Sequence, residues 1–250
     1  MLKQKKSAGL LAAMLLTANI TAAAAAPETT LTLEPRRTAE GIDYDVYIQN
    51  TNALSTLIFR LDFMADGAGE MKLSESDCFD ISHSEWSNGD NTSLKAYLGR
   101  TGQKAGFSSD NKVQVAQISI PLDITKTGEV TASVSGAVCA GILQTDSSAQ
   151  KGTITVPDST VRYTVRECSI LSLDQNNIHI LSSENRSADL IFASYDETGR
   201  LTGTQKERIE LSQGENEISA DEATLSQACS ILLWDADSMH PLAEKFTIND

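Results

Sequence analysis

The 250-residue chain carries 34 acidic and 20 basic side chains, a formal net charge of −14, and only 5% of it is aromatic. A surface this acidic repels phosphate backbones and anionic bilayers, which sets nucleic acid and membrane surfaces aside as partners; the same charge also serves simply to keep an extracellular protein in solution. So few rings count against a broad, flat polysaccharide platform.

The N-terminus has the layout of a cleaved secretory signal over residues 1–26. Lys3, Lys5 and Lys6 precede an apolar run from Ala8 to Ile20, and small residues from Ala22 to Ala26 lead to Pro27. The apolar run is too short to span a bilayer, and cleavage is expected one or two residues before Ala26, because Pro disfavours the bond ahead of it. Removing the segment takes away three lysines and no acid, which moves the net charge from −14 to −17. About 225 residues then remain, room for one large or two modest domains.

The mature chain opens with a short strand, Thr30 to Leu33, stopped by Pro35. From Gly41 to Met64, Ile42, Tyr44, Val46 and Ile48, then Leu57, Phe59, Leu61 and Phe63, put an apolar residue at every second position. Side chains alternate faces along a strand, so this predicts a two-stranded unit with one buried face, joined by a turn-rich loop from Asn50 to Ser55. Met71 to Asn91 reads as irregular, Leu94 to Leu98 as a strand, and Gly99, Gly102 and Gly106 as a turn toward Phe107. From Val113 to Leu122 the apolar parity changes between Val115 and Ile118, which predicts a bulge near Ala116 or a strand buried on both faces; Pro121 marks an edge or an end. Val130, Ala132 and Val134 make a half-buried strand, Gln144 to Gly152 reads as a loop, and Thr153–Val156 and Val161–Val165 close the first half.

Beyond Cys168 the pattern restarts. Strands are predicted around Ile178, from Ala188 to Tyr195, from Leu201 to Leu211, from Glu217 to Ser219, from Ser230 to Trp234 and from Leu242 to Ile248, with turns at Asp196–Arg200 and Gln213–Asn216. The fold class is therefore all-β, two β-sandwich modules in tandem after the signal, residues 27–166 and 167–250. Four cysteines allow three connectivities; Cys78 with Cys139 and Cys168 with Cys229 would each staple one module, by about 4 kcal/mol in the chain-entropy model. Reduced core thiols are the alternative.

Catalytic patterns are missing around the three histidines, His83, His179 and His240: no Gly-x-Ser-x-Gly elbow, no His-Glu-x-x-His and no phosphate-binding loop accompanies them. Paired carboxylates as in a glycosidase would count only with a measured separation across a cleft. No cofactor is expected. Asp235-x-Asp237 could begin a calcium loop, but it lacks the Gly and the distal Glu of an EF-hand, and a solvated turn is the competing reading. Trp86, with Asn88 and Asp90 in the same polar stretch, is the candidate ligand site, since a ring beside polar groups suits the apolar face of a pyranose; a ring packed under its own loop is the competing reading. Trp234 lies in an apolar run and reads as core.

The order of features from Leu31 to Val165 resembles the cohesin and related carbohydrate-binding-module sandwiches of secreted bacterial proteins. It is carried by Tyr44 to Asn50, leading through Ala53-Leu54-Ser55 into Leu57 to Phe63, and by Val115 to Leu122 leading into Gly128-Glu129-Val130; Phe63-Met64-Ala65-Asp66 departs from the Tyr-Asp step usual in cohesins. Ala193 to Leu201, Gly214 to Ile218, Leu232 to Asp235 and Ser238 to Leu242 resemble a small fibronectin type III-like accessory module of bacterial surface proteins. The resemblance implies a non-catalytic secreted or cell-surface protein that binds an extracellular protein partner. Carbohydrate binding through the Trp86 loop is the alternative, and an unrecognised glycan hydrolase a further one.

Overall fold

The computed structural model describes residues 28–248 except Asn50, 89–91, 101–106 and 146–147. The expected signal, residues 1–26, lies outside the described residues, as does the turn placed at Gly102 and Gly106. The N-terminal half contains β1 (Thr30–Arg37), β2 (Gly41–Gln49), β3 (Thr51–Met64), β4 (Lys72–Glu75), β5 (Ile81–Asn88), β6 (Thr92–Gly99), β7 (Phe107–Ser109), β8 (Val113–Pro121), β9 (Gly128–Thr145), β10 (Ser148–Thr155) and β11 (Ser159–Val165). They form a small four-stranded sheet, β1-β2-β8-β4, and a large seven-stranded one, β10-β9-β3-β6-β5 with β11 on β9 and β7 on β3. The chain is all-β, as the alternation predicts.

Ile42, Tyr44, Val46 and Ile48 on β2 and Leu57, Phe59, Leu61 and Phe63 on β3 are all at most 1% exposed. The two strands are not partners, which corrects the expected two-stranded unit. β2 pairs with β1 and β8, whereas β3 pairs with β6 and β9. Their apolar faces meet across one core, with Tyr44 edge-on to Phe63 at 6.0 Å between ring centroids. Alternation specifies which face is buried and leaves the neighbour open, so two strands facing each other across a sandwich look like two strands side by side. The expected loop is also shorter, because β3 begins at Thr51 and buries Leu54.

Other departures have similar causes. β1 runs through Pro35 to Arg37 because it is an edge strand, where a missing N–H costs no ladder bond. β4 and β5 occupy the stretch expected to be irregular; β5 pairs on one edge only, with β6, and is exposed from Ile81 to Ser87, so it needs no apolar stripe. The loop expected from Gln144 is the far arm of a β9–β10 hairpin. The bulge in β8 is present: Val46 opposes Ala116 and Tyr47 opposes Gln114, so Val115 is the additional residue and both Val115 and Ala116 turn inward. Pro121 ends that strand opposite Gly41, where a Cβ would lie 2.0 Å from the Ile120 carbonyl oxygen, so only glycine lets the two backbones approach.

β9 carries β11 along its first part and β10 along its second, on the same edge. The change of partner falls at Gly136, whose φ is 57° and whose N–H donates to the Asp158 carboxylate at 3.0 Å. β11 lies beside β1, running the same way: Ser159 Oγ donates to the Leu31 carbonyl at 3.2 Å, and Tyr163 near the far end neighbours Arg37.

The C-terminal half contains β12 (Cys168–Asp174), β13 (Asn177–Ser182), β14 (Arg186–Tyr195), β15 (Leu201–Leu211), β16 (Gly214–Ser219), a single helical turn α1 (Glu222–Leu225), β17 (Ser230–Asp235) and β18 (Phe246–Thr247). Sheets β12-β13-β16 and β15-β14-β17-β18 enclose a second core that includes Ile178, Ile180, Leu190, Phe192 and Leu233. β12 and α1 go beyond the sequence reading. The last strand shrinks to β18, because Leu242 and Ala243 reach the core from irregular backbone after Pro241 bridges to Trp234. Among the described residues no helix is long and apolar enough to cross a membrane.

The buried clusters divide between Val165 and Cys168. All four cysteines are free, in place of the two bridges expected. Cys78 is half-buried with Sγ 3.7 Å from the Gln114 carbonyl, Cys168 meets Ser182 at 3.4 Å, Cys229 is exposed, and burial pushes the Cys139 thiol up to about 11.

Two outcomes follow from the packing. Residues 27–166 and 167–250, expressed separately, should each melt cooperatively by circular dichroism; folding of the joined chain alone would make the two cores one unit. Gly41→Ala should cost about 2–3 kcal/mol in urea unfolding, since either β2 or β8 must move, whereas a change below about 0.5 kcal/mol would show that the approach is not tight.

Candidate functional site

Trp86 stands on β5 opposite Leu94, on the parity that faces the core in β6, yet it is 38% exposed because β5 is the rim of the large sheet. It therefore lies in a strand and not under a loop. Asn88 ends the same strand, and Asp90 lies outside the described residues.

The other parity builds a broader surface. Leu57, Phe59, Leu61 and Phe63 face inward from β3, so Thr56, Ile58, Arg60 and Asp62 face outward; on β6 Lys95 and Tyr97 do the same, and on β5 Ile81, His83 and Glu85. Cross-strand register sorts these into rows. His83, Tyr97, Ile58 and Val138 form one, and Glu85, Lys95, Arg60 and Ser135 the next. The His83 and Tyr97 rings lie 5.8 Å apart, the Lys95 ammonium sits 4.9 Å from the Tyr97 ring centroid, and the Tyr97 hydroxyl donates to Glu85 at 3.4 Å. Arg60 Nε donates to Asp62 at 2.8 Å. Exposed Ile81 and Met64 border this face. The result is an open, polar surface with an aromatic and aliphatic band. Sequence reading placed Ile81, His83 and Glu85 in an irregular stretch and did not single out Arg60, Lys95 or Tyr97 as a surface.

The histidines are placed as follows. His83 is exposed, 3.9 Å from Glu85, and His179 Nε2 lies 3.5 Å from Asp174. His240 Nδ1 contacts Ser238 Oγ, which donates to Asp235 Oδ1 at 2.7 Å. Asp, Ser and His thus meet in one turn, but the carboxylate holds the serine and not the imidazole. The order needed to draw a proton from a nucleophile is not set up. The same Asp235 oxygen accepts the N–H groups of Asp237 and Ser238, at 3.1 and 2.7 Å, so the Asp235-x-Asp237 motif is a turn capped by its first carboxylate. Among the described residues no three His, Cys, Asp or Glu side chains converge as metal ligands would.

No protein-family model matches the sequence, and no curated protein does. Among solved structures, the chain is similar to a non-cellulosomal cohesin from the hyperthermophilic archaeon Archaeoglobus fulgidus, with 14% identity over 54% of this chain and 91% of that one and a TM-score of 0.38. The seventh ScaB type I cohesin from Pseudobacteroides cellulosolvens gives 13% identity, 52% and 92% coverage and a TM-score of 0.38. A DUF4785 family protein from Legionella pneumophila gives 9% identity, 88% and 91% coverage and a TM-score of 0.24.

The turn at Asp235 makes a pH prediction. Hydrogen bonds from the Ser238 hydroxyl and the Ser238 and Asp237 N–H groups, with His240 nearby, lower its pKa from 3.8 to about 2. A carboxyl lowered on folding contributes stability that is present above its unfolded value and lost as pH falls through the folded one. Stability should therefore decline between pH 4 and pH 2, and Asp235→Asn should flatten that part of the urea-midpoint profile; an unchanged slope would show that the turn opens without cost.

Proposed function

We propose that the chain is a secreted, non-catalytic binding and assembly protein, in which the cohesin-like sandwich of residues 27–166 holds an extracellular protein partner and residues 167–250 form an accessory module. The observation that carries this reading is the solvent-facing outer surface of the large sheet, where the His83–Tyr97–Ile58–Val138 row runs beside the Glu85–Lys95–Arg60 row. Tyr and Arg on paired strands are the residue types that anchor protein interfaces, because they bury much area. The resemblance of Leu57 to Phe63 to a cohesin strand supports the same reading, since that strand supplies Ile58, Arg60 and Asp62. Carbohydrate binding is the second reading, favoured by one observation: Trp86 is exposed at the sheet rim.

The two readings separate experimentally. Secreted and cell-wall proteins from the source are passed over the immobilised chain, with a glycan array in parallel. The expected outcome is a protein partner whose affinity falls at least about tenfold with Tyr97→Ala combined with Arg60→Glu, is unchanged by Trp86→Ala, and weakens with salt if the partner is basic. Selective glycan binding abolished by Trp86→Ala, with no protein retained, would reverse the order.

A further inference from the structure

The structure holds a second, chemically different site. Where the ends of β1 and β11 meet β12 and the segment ahead of β18, a cavity of about 240 Å³ opens between the two cores. Arg36, Arg37, Arg166 and Lys245 line it with one carboxylate, Glu244, so four of the chain's 20 basic side chains gather at one point of a protein with 34 acids. Such a concentration of one sign in a concave, partly apolar space focuses the field on whatever enters.

Arg37 is the central element. Its residue is only 6% exposed, and its guanidinium donates to the main-chain carbonyls of Gly41 at 3.0 Å and Asp123 at 3.5 Å, so these bonds hold the fork without neutralising it. The Asp123 carboxylate accepts from the Thr125 N–H and hydroxyl at 2.8 and 2.7 Å and acts on Arg37 only through space, a smaller effect than the burial of the guanidinium. Burial pulls the Arg37 guanidinium below its ordinary pKa, the mark of a cation held away from water. Arg36 is already paired, with Asp43 at 3.3 Å. A desolvated guanidinium held by neutral carbonyls beside further cations is stabilised most by an anion that enters the cavity.

The remaining walls say which anion. Tyr163, Ile170 and Phe246 supply apolar and aromatic surface, the kind that meets the face of a ring. Glu244 would repel a second negative charge and offers an acceptor to a ligand hydroxyl. The cavity is open to solvent on one side, and about 240 Å³ suits a ligand of one ring. The geometry points to a binding site for a hydroxylated monocarboxylate of one-ring size, a uronate, with its carboxylate toward Arg37, Arg166 and Lys245 and its hydroxyl edge toward Glu244. The site is independent of the outer face of the large sheet, and success or failure at either leaves the other untouched.

The test is isothermal titration of the full mature chain with galacturonate, benzoate, glucose and inorganic phosphate, at low and high salt. Galacturonate should bind best. Benzoate should be weaker for want of hydroxyls, glucose should not bind measurably, and phosphate should be weaker than either carboxylate. Arg166→Gln combined with Lys245→Gln, both at the cavity wall, should weaken galacturonate at least about tenfold, as should raised salt to a smaller degree. Arg37→Gln should abolish binding; its circular-dichroism melt shows whether the variant folds, and the double variant carries the test if it does not. Phosphate binding tighter than galacturonate would overturn the carboxylate assignment, equal binding of glucose would overturn the role of charge, and no galacturonate binding at millimolar concentration would overturn the site.

Discussion

The N-terminal half depends on the contact of two apolar faces that belong to different sheets. Tyr44 from the small sheet and Phe63 from the large one meet edge to face, and the fully buried residues on either side of them fill the space between. Because β2 and β3 follow each other in the chain with one residue between them, the first of several crossings from sheet to sheet is made there, and each strand recruits partners from far along the sequence: β8 joins β2, and β9 joins β3. Such long-range pairing is costly in loop entropy and is repaid only when the shared core closes. The outer rows of the large sheet inherit their spacing from this arrangement, since every residue that faces outward on β3 does so because its neighbours are committed inward.

Much of this was legible in the residues, and the rest was hidden for identifiable reasons. The parity change between Val115 and Ile118 allowed a bulge near Ala116 or a strand buried on both faces, and the structure has the bulge, since burial has a period of two and an extra residue must break it. Asp196 announced a turn, and its carboxylate does accept from the N–H groups of Thr198 and Arg200, at 2.9 Å each. β5 gave no signal, since an exposed rim strand has no buried face to mark. Pairing gave none either, because alternation names a face and is silent about the partner.

The candidate sites divide the same way. Trp86 was visible as an unusual residue in a polar stretch, and the structure moves it from a loop to a strand. Tyr97, Lys95 and Arg60 are unremarkable apart, and only the register of β3 against β6 puts them in adjoining rows. The four cations of the cavity come from residues 36, 37, 166 and 245, a separation along the chain that no motif spans. Asp235, Ser238 and His240 show the opposite case, where nearness in sequence suggests chemistry and the hydrogen-bond order assigns a turn instead.

The placement of β11 beside β1 has a mechanical meaning. The two strands run in the same direction at opposite ends of the first sandwich's sequence, with Leu31 near Ser159 and Arg37 near Tyr163. A pull applied at residue 30 against residue 165 is directed along the strands and not across them. The β1–β2 and β11–β9 ladders are then strained as whole rows, so their hydrogen bonds must yield together and not one after another. A sandwich strung between a surface and a load would resist extension in the direction in which its own ends transmit it.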